Sequence, residues 1–350
     1  MEKIRLGKTN MMVTRLGFGG IPIQRCADDE AVAVVRRCLD LGVNFIDTAN
    51  AYTTSEERIG RAIAGRNRED LIIATKTQHR QREKIEEHLE LSLKRLGTEY
   101  IDLYQFHQVF DQKNLDMVLD SNGPLVVLDK ALKDGRIRHI GITSHSMETS
   151  KKAIRSGRFE TIMFPFNFIT VEAADDLIPL AREHDVGFIA MKPMGGGLLE
   201  NAAVAFKYLL RFPDVALIPG IEKPWEIEEI AGIIEGSWEM TEAESKEMQR
   251  LKDELGTRFC RRCDYCQPCT EGIPISTVMI IRSFEKRFPP ERFFIGRLSE
   301  AMDKATECSE CGECEERCPY DLPIREMISE QVEWYQEERR KFRELTGQEN

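Results

Sequence analysis

The stretch GVNFIDTANAYTTSEERIGRAI, Gly42 to Ile63, changes period halfway along. Its opening, NFID at 44–47, is a short apolar run that closes on a carboxylate. Its end, SEERIGRAIAG from Ser55 to Gly65, spaces apolar residues as one face of a helix, with a Ser cap in front and a glycine stop behind. A strand, a polar loop and a helix in succession form the first half of a crossover unit. Parallel strands need such crossovers.

Outward from this stretch the alternation repeats. TRLGF (14–18), NFID (44–47), LIIATK (71–76), IDLYQFH (101–107), HIGITS (139–144), TIMF (161–164), GFIAMK (187–192) and ALIP (216–219) read as eight strands. Between them lie amphipathic segments such as DDEAVAVVRRCLDLG, with Gly42 as its stop, REKIEEHLELSLKRLG, EAADDLIPLAREHD and PWEIEEIAGIIEG. Eight strand–helix repeats predict a closed (β/α)8 barrel over residues 1–240, with an open doubly wound sheet as the alternative. The segment from Phe110 to Gly135 is longer than a median connection and reads as an insert that walls a pocket.

Composition narrows the class. The 350 residues carry a net charge of −11, which argues against a nucleic-acid partner because backbone binding needs a basic surface. No run approaches the roughly 18 apolar residues of a membrane helix, and Arg15 interrupts the N-terminal region where a signal peptide would be apolar. The expectation is a cytoplasmic protein with no membrane partner. Of the 10 cysteines, Cys26 and Cys38 stand early and the rest crowd into residues 260–318. In a reducing compartment such clusters read as metal ligands rather than disulfides. Cys26 reads as an incidental loop thiol and Cys38, with apolar neighbours at helical spacing, as core.

A barrel of this kind places chemistry at the C-terminal ends of its strands. The polar residues there are Asp47, Lys76, His107, Ser144 with His145, Asn167 and Lys192, and Tyr52 follows Asp47 in the next loop. A phenol with a pKa near 10 is a weak acid at neutral pH unless a cation lies beside it. Lys76 supplies the cation, Asp47 holds it charged, and His107 can orient a carbonyl oxygen. The chemistry implied is reduction of an aldehyde or ketone, with a small carbonyl compound as substrate.

The strings GVNFIDTANAYTTSEERIGRAI, LIIATKT, IDLYQFHQ and RIRHIGITSHS resemble the successive signatures of the aldo-keto reductases, from about residue 4 to about residue 236. That resemblance implies a (β/α)8 barrel binding NADH or NADPH in extended form, and a catalytic tetrad at Asp47, Tyr52, Lys76 and His107. It implies cofactor contacts at Ser144, His145, Asn167, Lys192, Pro193, Met194, Gly195, Gly197, Gly220, Glu222 and Glu229. His145 stands where the family has Asn, Met163 where it has Gln, and Met191 where an aromatic stacks on the nicotinamide. Lys192 could alternatively form a Schiff base, but facing a pyrophosphate or the substrate is the preferred reading. Gly220 and Glu226 occupy positions where NADPH-preferring relatives have basic residues, so NADH is expected to serve at least as well, with Lys223 the opposing cation.

The tail, residues 241–350, opens on TEAESKEMQRLKDELG, a helix with Thr241 as cap and Glu244 three residues on. Two cysteine quartets follow: Cys260, Cys263, Cys266, Cys269, then Cys308, Cys311, Cys314, Cys318. The second is the bacterial ferredoxin run, in which the fourth cysteine serves the other cluster. By that rule Cys318 joins Cys260, Cys263 and Cys266, and Cys269 joins the other three. The first quartet departs from the run, with a shorter last step and Thr270 in place of Pro, and zinc is the competing reading. The tail as a whole resembles the ferredoxin-like extension of a subset of aldo-keto reductases, a small mainly helical domain with two 4Fe-4S clusters. Its last segment, from Ile324, reads as a charged amphipathic helix anchored by Trp334 and Tyr335 and docked within the chain. Three functions stay open: carbonyl reduction with structural or sensing clusters, electron exchange with a ferredoxin-type partner, and a binding or assembly module.

Overall fold

A computed structural model describes residues 1–347. It comprises two compact units, residues 1–245 and residues 246 onward, and the division falls within the continuous helix Glu242–Leu255. Among the described residues no helix is long and apolar enough to cross a membrane.

In the first unit β1 (Lys3–Arg5) and β2 (Met12–Thr14) form an antiparallel hairpin. Eight strands follow: β3 (Phe18–Gly19), β4 (Phe45–Asp47), β5 (Ile72–Thr77), β6 (Ile101–Phe106), β7 (Ile137–Thr143), β8 (Thr161–Pro165), β9 (Gly187–Met191) and β10 (Val215–Ile218). All pair in parallel in chain order from β3 to β10. Parallel bridges Leu16 to Leu217 and Gly19 to Gly220 join the two edges of the sheet, with Gly17 N donating to Leu217 O at 2.7 Å. The eight strands expected from the sequence are these eight, arranged as a (β/α)8 barrel. The open sheet is excluded.

The barrel interior is filled by Phe45, Ala74, Leu103, Met163, Ile189 and Ala216, packed with Ile4, Leu6 and Val13 of the hairpin. Gly7 bridges Val186, just before β9, so the hairpin plugs the N-terminal end and leaves the opposite mouth for chemistry. The hairpin escaped the sequence reading because a three-residue strand leaves too short a run for periodicity to register.

Three expectations on the crossovers change. Ser55 is the first helical residue of Ser55–Ile63 instead of its cap, and its hydroxyl bonds Gly20 O at 2.7 Å and Thr48 Oγ1 at 2.9 Å. The segment EAADDLIPLAREHD is helical only over Leu177–Glu183. The supposed insert resolves into the ordinary crossover helix Leu125–Lys133 and one additional helix, Gln112–Leu119. Helix Ser55–Ile63 touches the end of Arg82–Leu96 so closely that a Cβ on Gly60 would stand 2.3 Å from Arg95 O. Overpacking against backbone has no side chain to yield, so Gly60→Ala is expected to destabilise the barrel by about 2–3 kcal/mol, read as a lowered urea midpoint with unchanged slope.

In the second unit a core of Val278, Ile281, Phe293, Met302, Met327 and Tyr335 gathers short helices around the long helix Ile324–Thr346. Tyr335 is fully buried and its hydroxyl donates to Phe293 O at 3.1 Å, while Trp334 meets the Phe293 ring edge-on. The helix therefore docks within the chain, as expected. Thr241 and Glu244 form the expected reciprocal cap, each accepting from the other's backbone N–H at 2.7–3.2 Å.

Candidate functional site

Parallel strands bring the last residues of β4, β5 and β6 side by side at the open mouth. Asp47 ends β4, Lys76 lies one residue from the end of β5, and His107 directly follows β6. The loop after β4 is pinned to β5 by Thr48 N to Ala74 O (2.9 Å) and Asn50 N to Lys76 O (3.1 Å), which returns Tyr52 over the same mouth. Lys76 Nζ donates to Asp47 Oδ1 at 2.5 Å and to Thr48 O at 2.7 Å, and lies 5.2 Å from the Tyr52 ring centroid. The Tyr52 and His107 rings meet edge to face at 5.7 Å. The four residues predicted from scattered positions thus form one cluster.

Asp47 and Lys76 are 3% and 1% exposed, so neither charge is solvated by water. Burial pushes the Asp47 carboxyl up, and the Lys76 ammonium and the Gln105 amide, 3.2 Å from Oδ2, pull the other way. A charged pair persists in such a place only when paired and hydrogen-bonded, which both oxygens of Asp47 are. Arg80, which the sequence reading passed over, braces the His107 loop: its guanidinium donates to His107 O at 2.8 Å and to Gln78 O and His79 O at 3.0 Å. Burial holds that guanidinium down at about 10. No sequence signal marks it, because it sits in a polar loop among other polar residues.

The residues proposed for cofactor contact ring the same mouth at the ends of β7 to β10. Ser144 Oγ accepts from Ser146 N at 3.0 Å, and His145 packs against Phe110. Asn167 Nδ2 donates to Lys192 O, and its Oδ1 accepts from Ile169 N and Thr170 N at 2.9 Å, so its amide ties two loops together. Beyond β9, after Pro193 and Met194, Gly195, Gly196 and Gly197 carry φ of 59°, 73° and 93°, following Lys192 at 58°. Such a run has no side chains in the way of a close-approaching anion, so its shape fits a pyrophosphate. In this structure Gly195 N and Gly197 N bond within the loop, to Lys192 O and Met194 O.

After β10, Gly220 packs on Pro22, where a Cβ would meet the ring at 2.8 Å, and Glu222 pairs with Arg25 at 3.6 Å. Glu229 is exposed on helix Pro224–Glu235. Glu226, which stands where NADPH-preferring relatives have basic residues, accepts from Glu222 N at 2.6 Å and Lys223 N at 2.9 Å. Its carboxylate caps the helix. Met163 is buried in the barrel core, and Met191 packs against that core.

Outside the site, Cys38 is buried in helix Asp28–Asp40, and burial pushes its thiol up to about 12. With so little thiolate, native protein at pH 8 should alkylate at Cys38 about a thousandfold more slowly than unfolded chain, measured by peptide mass mapping. Cys26 is also buried, its sulfur 3.8 Å from Glu222 O.

In the second unit the eight tail cysteines fall around two cavities. Cys260, Cys263, Cys266 and Cys318 wall one. Cys269, Cys308, Cys311 and Cys314 wall the other, which Cys266 also touches. The grouping is the crossed one that the ferredoxin rule predicts, despite the irregular first quartet. Among the described residues no three Cys, His, Asp or Glu side chains converge on a single-ion position. Four thiols walling one cavity without meeting at a single-ion position suit a cube of iron and sulfide, where zinc would want a tight tetrahedron.

The chain belongs to the aldo/keto reductase family of oxidoreductases, whose profile matches residues 15–204, more than half of its length. Residues 259–323 match the 4Fe-4S dicluster domain. Among curated relatives, the aldo-keto reductase YhdN of Bacillus subtilis is 31% identical over 217 residues, covering 57% of this chain and 64% of its own. L-galactose dehydrogenase of Arabidopsis thaliana is 30% identical over 217 residues, covering 57% and 67%. The match thus spans about two thirds of the length of these relatives. Among solved structures, the holo form of aldo-keto reductase AKR11C1 from Bacillus halodurans is 25% identical with a TM-score of 0.62, covering 72% of this chain and 96% of that one. An aldo-keto reductase from Klebsiella pneumoniae solved with NADPH shares the fold at a TM-score of 0.60 and 22% identity, covering 71% of this chain and 94% of that one.

Proposed function

We propose that the chain reduces an aldehyde or ketone to an alcohol with NADH or NADPH, in a barrel of about 240 residues that carries an iron–sulfur tail. The observation that carries this reading is the buried Asp47–Lys76 pair set against the Tyr52 ring and beside His107. His107 donates a hydrogen bond to the substrate carbonyl oxygen and fixes its place at the mouth. Tyr52 transfers its proton to that oxygen as negative charge develops there. Lys76 stabilises the negative charge left on the Tyr52 oxygen, and Asp47 keeps Lys76 an ammonium. The bound nicotinamide supplies the hydride. Lys192, the glycine run to Gly197, Ser144 and Asn167 would hold it, with Gly220 and Glu222 at its far end.

Glu226 caps its helix and keeps a negative charge where a 2′-phosphate would favour a cation, with Lys223 opposing it. The comparison to make is kcat/KM for NADPH against NADH, and a tenfold or greater advantage of NADPH would exclude the expected parity. The two clusters would be held by the crossed cysteine sets and supply one-electron chemistry or structural cross-linking. The reading as a whole is tested by following nicotinamide oxidation with a panel of aldehydes and ketones on protein with intact clusters. Dependence on added carbonyl supports it, and oxidation that instead needs a ferredoxin-type acceptor favours the electron-exchange alternative.

A further inference from the structure

One buried polar side chain in the barrel has no place in the mechanism above. Gln105, in β6, is fully buried inside the barrel, where an apolar residue would be easier to accommodate. Register explains where it points. Lys76 on β5, Gln105 on β6, Gly141 on β7 and Thr161 on β8 are successive Cα partners, so they form one row across four strands.

Within that row Gln105 Nε2 donates to Asp47 Oδ2 at 3.2 Å, while Lys76 Nζ holds the other oxygen, Oδ1, at 2.5 Å. The amide can be turned only this way, since its oxygen against the carboxylate would set two acceptors together. The opposite end of the amide, Oε1, is buried without a hydrogen-bond partner among the described residues, and so is Thr161 Oγ1. Both side chains crowd the same spot. A Cβ on Gly141 would stand 3.0 Å from Gln105 Cγ and 2.2 Å from Thr161 Oγ1. Glycine at 141 is therefore what makes room for a glutamine at 105 to reach Asp47. An unsatisfied acceptor is tolerated at one end of the amide so that the donor at the other end can meet the carboxylate.

We propose that Gln105 is a positioning residue of the reductase centre: its amide N–H holds Asp47 ionised and oriented, and through Asp47 it keeps Lys76 an ammonium beside Tyr52. The proposal rests on the reading of this centre as a carbonyl reductase. Without the amide donor, a buried carboxylate–ammonium pair relaxes toward neutral acid and amine, because desolvation penalises the charged forms of both. Tyr52 then loses the cation that stabilises its phenolate.

The test compares wild type, Gln105→Leu and Gln105→Glu, all with clusters intact and with circular dichroism confirming the fold. In Gln105→Leu, kcat at neutral pH should fall about tenfold or more, as expected for loss of a hydrogen bond to a charged group, while KM for the nicotinamide stays within about threefold. The basic limb of its kcat–pH profile should move to higher pH. In Gln105→Glu the new carboxyl can donate to Asp47 only while protonated, so activity should approach wild type at low pH and fall as that carboxyl ionises. A Gln105→Leu enzyme with unchanged kcat and unchanged basic limb overturns the proposal. If Gln105→Leu does not fold, a Gln105→Glu profile without the additional loss of activity as pH rises through the titration of that carboxyl overturns it equally. Ultraviolet difference titration of tyrosinate, wild type minus Tyr52→Phe set against Gln105→Leu minus the Gln105→Leu, Tyr52→Phe double variant, needs no turnover, and a Tyr52 titration that Gln105→Leu leaves in place overturns the proposal. It reads the Gln105 effect even if no carbonyl is reduced, so failure of the reductase reading and failure of this inference give different results.

Discussion

Tyr52→Phe is expected to lower carbonyl reduction by about 10²–10⁴-fold while leaving nicotinamide binding and melting temperature near wild type. The substitution removes one hydroxyl from a half-buried ring and leaves intact the Asp47–Lys76 pair and the edge-to-face contact with His107. In the proposed geometry His107 is engaged in orienting the carbonyl oxygen and does not take over the proton. Lys76 commits N–H groups to Asp47 and Thr48 at 2.5 and 2.7 Å, and holding the charge is its part in the pair. Lys76→Met should match the loss in rate and add a loss in stability, because it leaves Asp47 buried and uncompensated. Breaking a buried pair from one side costs about 3–5 kcal/mol. Stopped-flow measurement of the hydride step separates chemistry from product release. Tyr52→Phe turnover within twofold of wild type would falsify the acid assignment.

Removing the clusters is the second large effect. The core of the tail is built around its cysteines: Cys266 is buried among Ile275, Met279 and Ile324, and the seven other tail cysteines pack against the same cluster or wall the same cavities. With the cavities emptied, short helices such as Ile275–Val278 and Glu313–Glu316 lose cross-links to segments distant in sequence and keep surface ion pairs such as Glu315 to Arg325 and a small apolar core. Helices of four residues do not persist alone. Cluster ligation is therefore folding energy for this unit, on the order of 10 kcal/mol by analogy with small metal-bound domains. Anaerobic chelation should expose residues beyond Lys246 to limited proteolysis and reduce helical circular dichroism, while residues 1–245, with their own core, keep a cooperative melt. Intact protein should contain about eight iron and eight sulfide per chain. Cys318→Ser and Cys269→Ser should each disturb a different cube. Two zinc ions per chain and no sulfide would reject the assignment.

Much of this was legible in the residues. Strands β4 to β10 are largely buried, so apolar residues dominate their runs, and helices such as Arg82–Leu96 carry a periodic face with Gly97 in the left-handed C-cap. Asp47, Lys76 and His107 could be selected because polar residues at the ends of apolar runs stand out. Gln105 could not, although it is one residue from Phe106, because nothing local says which strand residues face the barrel axis or what lies across the next strand. Glu226 shows the complement: its charge was plain, but that its carboxylate also caps helix Pro224–Glu235 depends on a turn that spacing along the chain does not fix.

What the sequence by itself determined is the eight strands of the barrel, the two cysteine quartets and the polar residues at the strand ends that were offered as a tetrad, since each is written in short-range spacing. What only the tertiary structure decided is partnership. Cys318 shares a cavity with Cys260, Asn167 is engaged with Lys192, and a glycine at 141 makes room for the amide that steadies Asp47. The physical reason is that periodicity and capping act within a few residues along the chain, whereas pairing of buried charges and thiols depends on distances set by strand register and loop closure.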